Sequence, residues 1–224
     1  LSLKLDGEYA KPGTALQASV QNDAGEVPAG VTFTYRWTLD GAEVSTSASY
    51  TPTESALNKF IEVTAMTDGA VVDTYRLYCS KLPVVYIDTV DGHGITSKTV
   101  YKDASMRIQG NDTYNSTTTT LYDGATEIRG RGNSTWNTGY NKLPYKLKLG
   151  KKTNLFGFGE SKHWALLANY MDESLMRNTL SYDLAKEMGM ESYLPSTHVE
   201  VVLNGNYAGN YQLVGNVRVE ESRV

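Results

Sequence analysis

The chain has 224 residues, with 21 Lys+Arg against 25 Asp+Glu for a net charge of −4, and one cysteine, Cys79. An acidic chain is not a generic nucleic-acid binder, and a single thiol allows neither an intramolecular disulfide nor a Cys-based metal site. No apolar run approaches the roughly 18–20 residues that cross a bilayer, so no transmembrane helix is expected.

The length accommodates two domains, each with its own core. Residues 1–82 are rich in Thr, Ser, Val, Tyr and Gly, and their hydrophobic period is two. Phe33, Tyr35, Trp37 and Leu39 alternate with Thr34, Arg36 and Thr38 up to the turn pair Asp40-Gly41. Ile61, Val63 and Ala65 alternate before Asp68-Gly69, and Val71 to Tyr78 makes a further strand. Short strands punctuated by turns in this way predict a β-sandwich. Trp37, on a central strand, is expected in its core.

A domain boundary is expected near Ser80-Lys-Leu-Pro83, giving domains 1–82 and 83–224. Val84 to Ile87 reads as an apolar strand, Asp88 to Gly94 as a loop, and 98–127 as further strands, with Thr117 to Thr120 a β-branched run. Sequon-like triplets begin at Asn111, Asn115 and Asn133, a short and common pattern that carries little weight. One long helix is signposted: Asp172 as N-cap, Met176, Leu180, Leu184 and Met188 as an apolar stripe, and Gly189 as the stop. Arg177 falls inside that stripe, where a buried charge needs a partner; Asp183 is a second-choice polar residue on an adjoining face. Val199, Val201 and Leu203 then alternate up to Asn204-Gly205, a strong hairpin signal, and Tyr207 to Leu213 returns. The expected fold is mostly β, a sandwich followed by an α+β unit.

The charge is unevenly distributed. Residues 1–124 hold 9 Lys+Arg and 15 Asp+Glu, net −6, and residues 125–224 hold 12 and 10, net +2. From Ile128 to Lys152 there are two Arg and five Lys and no acid. Arg129-Gly-Arg-Gly-Asn-Ser134 combines guanidinium groups, short neutral donors and glycines, the materials of an anion site with phosphate as the natural ligand. In Tyr145-Lys-Leu-Lys-Leu149 the period of two places Lys146 and Lys148 on one face. Gly130 and Gly132 begin no complete G-x-G-x-x-G, and no P-loop pattern occurs. A glycine-rich hairpin, a Lys-bearing strand and a helix follow the order of a protein-kinase N-terminal lobe. A solvated edge strand whose lysines protect it explains the same residues equally well.

Ile128-Arg-Gly-Arg-Gly-Asn-Ser-Thr-Trp136, Lys142 to Leu149, Trp164 to Asn178 and Val199 to Tyr211 together resemble the successive motifs of the CotH (spore-coat protein H) kinase family. Tyr35 to Gly41, Tyr50 to Thr53 and Lys59 to Thr64 are similar to immunoglobulin-like repeats of large bacterial surface proteins, and the missing cysteine pair sets the first domain apart from antibody domains. The resemblance implies an atypical, secreted or cell-surface kinase that uses ATP and Mg to phosphorylate Ser and Thr of extracellular or coat proteins. It places Arg129, Arg131, Asn133 and Ser134 in a phosphate-covering loop, Lys146 or Lys148 on the nucleotide phosphates, and Arg177 as reinforcement from the helix. Under the resemblance Trp136 and Trp164 are core residues supporting that site, with a place in the adenine pocket as the alternative for either.

The resemblance also places the family's catalytic and metal-binding aspartates beyond the strand pair that closes near Val214. No catalytic or metal-ligating residue is therefore assigned here, Glu220 and Glu221 read as tail residues, and the chain alone is expected not to turn over ATP. Gly215-Asn216 stands where many members carry a Glu. A non-catalytic adhesion or carbohydrate-binding module is the competing expectation, with Trp136 as its sugar platform.

Overall fold

The structure, a computed structural model, describes residues 1–6, 9–111, 118–137, 139–190 and 193–217. The Asn115 sequon, Glu220 and Glu221 lie outside them, as does most of the Asn111 sequon. Two compact units are present, Leu1–Lys81 and Leu82–Val224.

In the first unit β1 (Ser2–Asp6), β2 (Leu16–Gln21), β3 (Thr34–Leu39), β4 (Ala42–Ser45) and β5 (Ser49–Tyr50) precede a 3-10 turn at Glu54–Ala56. β6 (Phe60–Thr67) and β7 (Ala70–Tyr78) follow it. They form a three-stranded sheet, β1-β2-β5, and a four-stranded sheet, β4-β3-β6-β7. Two Asp-Gly pairs make the turns: Asp40 and Gly41 have φ 46° and 87°, Asp68 and Gly69 have 49° and 77°. Positive φ at both central residues matches the right-handed strand twist, and Asp and Gly tolerate it. Leu3, Leu16, Val20, Trp37, Ile61, Val63 and Leu77 are buried, each worth about 1.5–3 kcal/mol. Trp37 is a core residue, fully buried, with its indole N–H donated to the Ser47 carbonyl at 2.8 Å. Cys79 is buried as well.

The second unit is a closed barrel. Its strands are β8 (Val84–Thr89), β9 (Lys102–Asn111), β10 (Thr118–Gly130), β11 (Tyr145–Asn154), β12 (Glu160–Leu167), β13 (Ser196–Leu203) and β14 (Asn206–Gly215). They run in the order β10-β11-β12-β14-β13-β8-β9, with β9 paired to β10 to close the ring. Every pair is antiparallel except β13 with β8. One face of each strand fills the interior with Val85, Ile87, Met106, Ile108, Ile128, Leu147, Trp164, Leu166, Val199, Val201, Tyr211 and Leu213. The β13–β14 turn is the expected Asn204-Gly205, at φ 49° and 73°.

Closure corrects two expectations. A seven-stranded barrel is not clearly the kinase N-terminal lobe that the order of hairpin, Lys-bearing strand and helix suggested. β11, moreover, is paired on both sides, to β10 and β12. Lys146 and Lys148 therefore protect no edge.

The helix is also corrected. It starts at Arg177 rather than just after Asp172 and runs to Glu187, 11 residues designated α1. Asp172 folds the preceding segment into a turn, accepting hydrogen bonds from the Ser174 N–H and hydroxyl at 3.1 and 2.6 Å and from the Arg177 N–H at 2.9 Å. Leu175 adopts φ 58° inside this turn, which stops the helix from extending backward. The stripe exists but faces outward: Leu180, Leu184 and Met188 are 62, 60 and 70% exposed. The opposite side is turned to the barrel, and its anchors are polar. Thr179 meets His198 Nε2 at 2.9 Å, and Asn178 donates to Asn169 at 2.8 Å. Gln212, fully buried on the outer face of β14, donates to Thr179 and Ser196 and accepts from Asn169. Arg177 is consequently exposed, 3.5 Å from Asp172, and needs no buried partner.

Candidate functional site

The strand period sends Ile128 and Leu147 into the barrel and leaves Arg129, Lys146, Glu127 and Lys148 on its outside. Register then pairs Arg129 directly with Lys146, and Glu127 directly with Lys148. The second pair neutralises itself: Lys148 donates to Glu127, and that hydrogen bond raises the lysine pKa. The first pair sets like charges opposite each other, an arrangement that destabilises a sheet unless an anion relieves it.

Between β10 and β11, residues 131–137 and 139–144 form a loop that brings Arg131, Gly132 and Asn133 beside this pair. Its entry is fixed by Gly130, whose N–H donates to the Ser97 carbonyl at 2.8 Å, and by the Arg131 N–H on the Pro144 carbonyl at 3.2 Å. Its exit is fixed by the Tyr211 hydroxyl on the Leu143 carbonyl at 2.9 Å, and by the Lys142 ammonium lying 4.9 Å from the Tyr211 ring centre. Burial lowers the Lys142 pKa, with Glu200 opposing. The glycines serve the segment itself. A Cβ on Gly130 would stand 2.4 Å from the Trp136 indole, and Gly132, at φ 90°, would put one 2.1 Å from the Thr135 hydroxyl. Their smallness is already used by Trp136 and Thr135, not held open for a ligand.

A cavity of about 340 Å³ results, lined by Lys98, Arg129, Arg131, Asn133, Lys146 and Asn216, together with Thr99 and Gly132. None of these is acidic. Arg129 donates to the carbonyls of Lys98 and Gly130, lies 4.9 Å from the Tyr101 ring centre, and keeps a buried Nε with no partner. Burial also pushes the Arg131 guanidinium pKa down, with Tyr182 opposing. Half-buried cations gathered without a carboxylate among the lining residues favour an anion with several acceptor oxygens.

Four of the seven residues singled out in the sequence meet here: Arg129, Arg131, Asn133 and Lys146. Three do not. Ser134 sits exposed on the turn beyond Asn133, Lys148 is held by Glu127, and Arg177 lines a separate cavity beside α1. The sequence reading missed Lys98, which lies in the loop between β8 and β9 with no local pattern to mark it. Asn216 was noted only as a missing Glu. Among the described residues no group of three or more His, Cys, Asp or Glu could hold a metal ion. Trp164 is buried in the barrel with its indole N–H on the Ser161 carbonyl at 3.0 Å. Trp136 packs against the same core from outside.

The second cavity, about 400 Å³, lies between segment 131–144 and α1 and also includes Arg131. Tyr140 and Tyr170 stack on its wall, with ring centres 4.4 Å apart and planes 21° apart, and Tyr182 faces it from the helix.

No curated protein matches the chain, whereas residues 128–223, from the end of β10 through this basic segment and α1 to β14 and beyond, match the family model of the CotH kinase proteins.

Proposed function

We propose that the basic cavity binds the phosphates of ATP and that the chain is part of a CotH-type protein kinase acting outside the cell on Ser and Thr of a coat or surface protein. The observation that carries the reading is the directly opposed Arg129–Lys146 pair, walled by Lys98 and Arg131 in a cavity without a carboxylate. Polyphosphate oxygens relieve that repulsion and satisfy the idle Arg129 Nε. The kinase-family match over residues 128–223 agrees in class.

The lining fits phosphate oxygens but not a divalent cation, since it offers only neutral oxygens of Asn133, Asn216 and Thr99. Mg would take its carboxylates from other residues, and so would the group that orients a hydroxyl nucleophile. What this chain's residues do is hold and screen the phosphate charge. The 224 residues alone are expected to bind ATP without turning it over. In this reading Leu1–Lys81 is an immunoglobulin-like presenter of the barrel. The sugar-binding alternative finds no support at Trp136, because its indole is pressed against Gly130.

Calorimetric titration with ATP checks the assignment. Each charge-assisted hydrogen bond is worth about 1.5–3 kcal/mol, so Lys146→Ala and Arg131→Ala should each weaken binding about ten- to a hundredfold. Lys148→Ala should change it only a fewfold. Absence of ATP binding by the wild-type chain, or equal losses at Lys146 and Lys148, would overturn the phosphate site.

A further inference from the structure

The apolar stripe of α1 is left uncovered among the described residues. Met176, Leu180, Leu184 and Met188 are 43, 62, 60 and 70% exposed. Apolar side chains scattered singly over a surface need no explanation, whereas a row of them on one helix face does. The row is also symmetric. Counting outward from Tyr182, Leu180 is matched by Leu184, Met176 by Met188, and Arg177 by Glu187. At about 100° per residue all six point within about 60° of the line midway between the two leucines, on the side opposite Tyr182. Reversing the helix end for end therefore lays leucine on leucine, methionine on methionine, and guanidinium on carboxylate.

We propose that this face is covered by a second copy of the chain, the two α1 helices packing antiparallel about a two-fold axis at the level of Tyr182. A two-fold contact needs a surface that complements itself, and the reversal supplies one in both shape and charge. Arg177, Leu180, Leu184 and Glu187 follow a 3-4-3 spacing, the seam of helices that cross at about 20°. Leu180 then meets the partner's Leu184 at the centre, and Arg177 meets the partner's Glu187 at each end. Arg177 is free to do so. Its side chain is 80% exposed, and the Asp172 carboxylate 3.5 Å away is already shared with Ser174 and a backbone N–H. A lipid surface is a poorer occupant, because α1 carries two cations and two carboxylates and no basic excess for headgroups. With 11 residues the helix is about 16 Å long, so the contact is small and the dimer reversible. At the dilution of an unfolding measurement the chain is a monomer with the stripe exposed. The proposal does not depend on the phosphate site.

Sedimentation equilibrium of the 224-residue chain, carried up to about 1 mM, tests it. The wild type is expected to follow a monomer–dimer equilibrium, and Leu180→Glu to stay monomeric throughout. Arg177→Glu replaces two attractive pairs by two repulsive ones and should weaken association about fivefold or more. The double exchange Arg177→Glu with Glu187→Arg restores the pairs and should recover wild-type association to within about twofold. Circular dichroism verifies the fold of each variant, which the outward position of all three residues leaves intact. A wild type that remains monomeric to about 1 mM overturns the proposal, and co-flotation of that monomer with phosphatidylcholine vesicles would assign the stripe to lipid instead. A dimer that survives Leu180→Glu overturns it as well. Failure of the double exchange to restore association overturns the antiparallel register.

Discussion

Gly130 and Trp136 show how one residue's missing side chain shapes the site. The indole occupies the space where a Cβ would sit, 2.4 Å away, so Gly130→Ala must expel Trp136 or shift β10. Overpacking of this kind costs about 1–3 kcal/mol. Urea unfolding should show that loss, together with a red shift of tryptophan emission, because Trp37 and Trp164 are fully buried and remain so. Unchanged stability and emission would mean that the indole does not pack on Gly130. The sequence displayed the glycines but not their use; a ligand and a neighbouring side chain ask for the same absence. Cys79 gives a pH-dependent counterpart. Burial, assisted by Glu54, pushes its thiol up to about 11. The folded state thus disfavours the thiolate. Its contribution to stability is complete below the ordinary thiol value near ~8.5 and is lost as pH rises from there toward about 11. Thiol reagents should label Cys79 only on unfolding, at pH 8 and below. Prompt labelling of the native protein would contradict the burial.

At the scale of elements, α1 departs most from its pattern. A stripe repeating every four residues reads as a buried face, yet Leu180 and Leu184 point outward while Asn178, Thr179 and Tyr182 face the barrel. The reason lies across the sequence, on β13 and β14. Gln212 and His198 reach the outer barrel face and offer hydrogen bonds, so polar helix residues find partners there. Gln212→Leu strands Thr179, Ser196 and Asn169, each losing a partner. It should cost about 1–3 kcal/mol by thermal or urea unfolding. Leu180→Gln and Leu184→Gln touch nothing buried and should stay within about 0.5 kcal/mol. A large loss in either leucine variant would show that the stripe is covered after all. The strand hairpins were legible by contrast, since Asp40-Gly41, Asp68-Gly69 and Asn204-Gly205 state their own backbone conformation.

For the whole molecule, each compact unit has its own core, Trp37 and Ile61 in Leu1–Lys81, Trp164 and Leu213 in Leu82–Val224. Each is long enough to fold alone. Residues 82–224 expressed separately should give a cooperative thermal transition and the same ATP affinity as the full chain. A non-cooperative transition would contradict an independent core in Leu82–Val224. Barrel closure decides what the basic residues can do. With β11 paired on both flanks, its outward lysines are presented on a continuous surface, and Arg129 is held opposite Lys146 by the β10–β11 register.

The sequence by itself determined the β-rich composition, the hairpin turns, the core position of Trp37, and the acid-free stretch that contains Arg129, Arg131, Asn133 and Lys146. These follow from period, turn chemistry and charge, which are local properties. Only the tertiary structure decided that Lys146 is paired against Arg129 while Lys148 is neutralised by Glu127, that Lys98 and Asn216 join the cavity, and that α1 turns its polar side to the barrel. Each of those depends on register or on contacts between residues distant in the chain, and no local pattern encodes which long-range partner a side chain will meet.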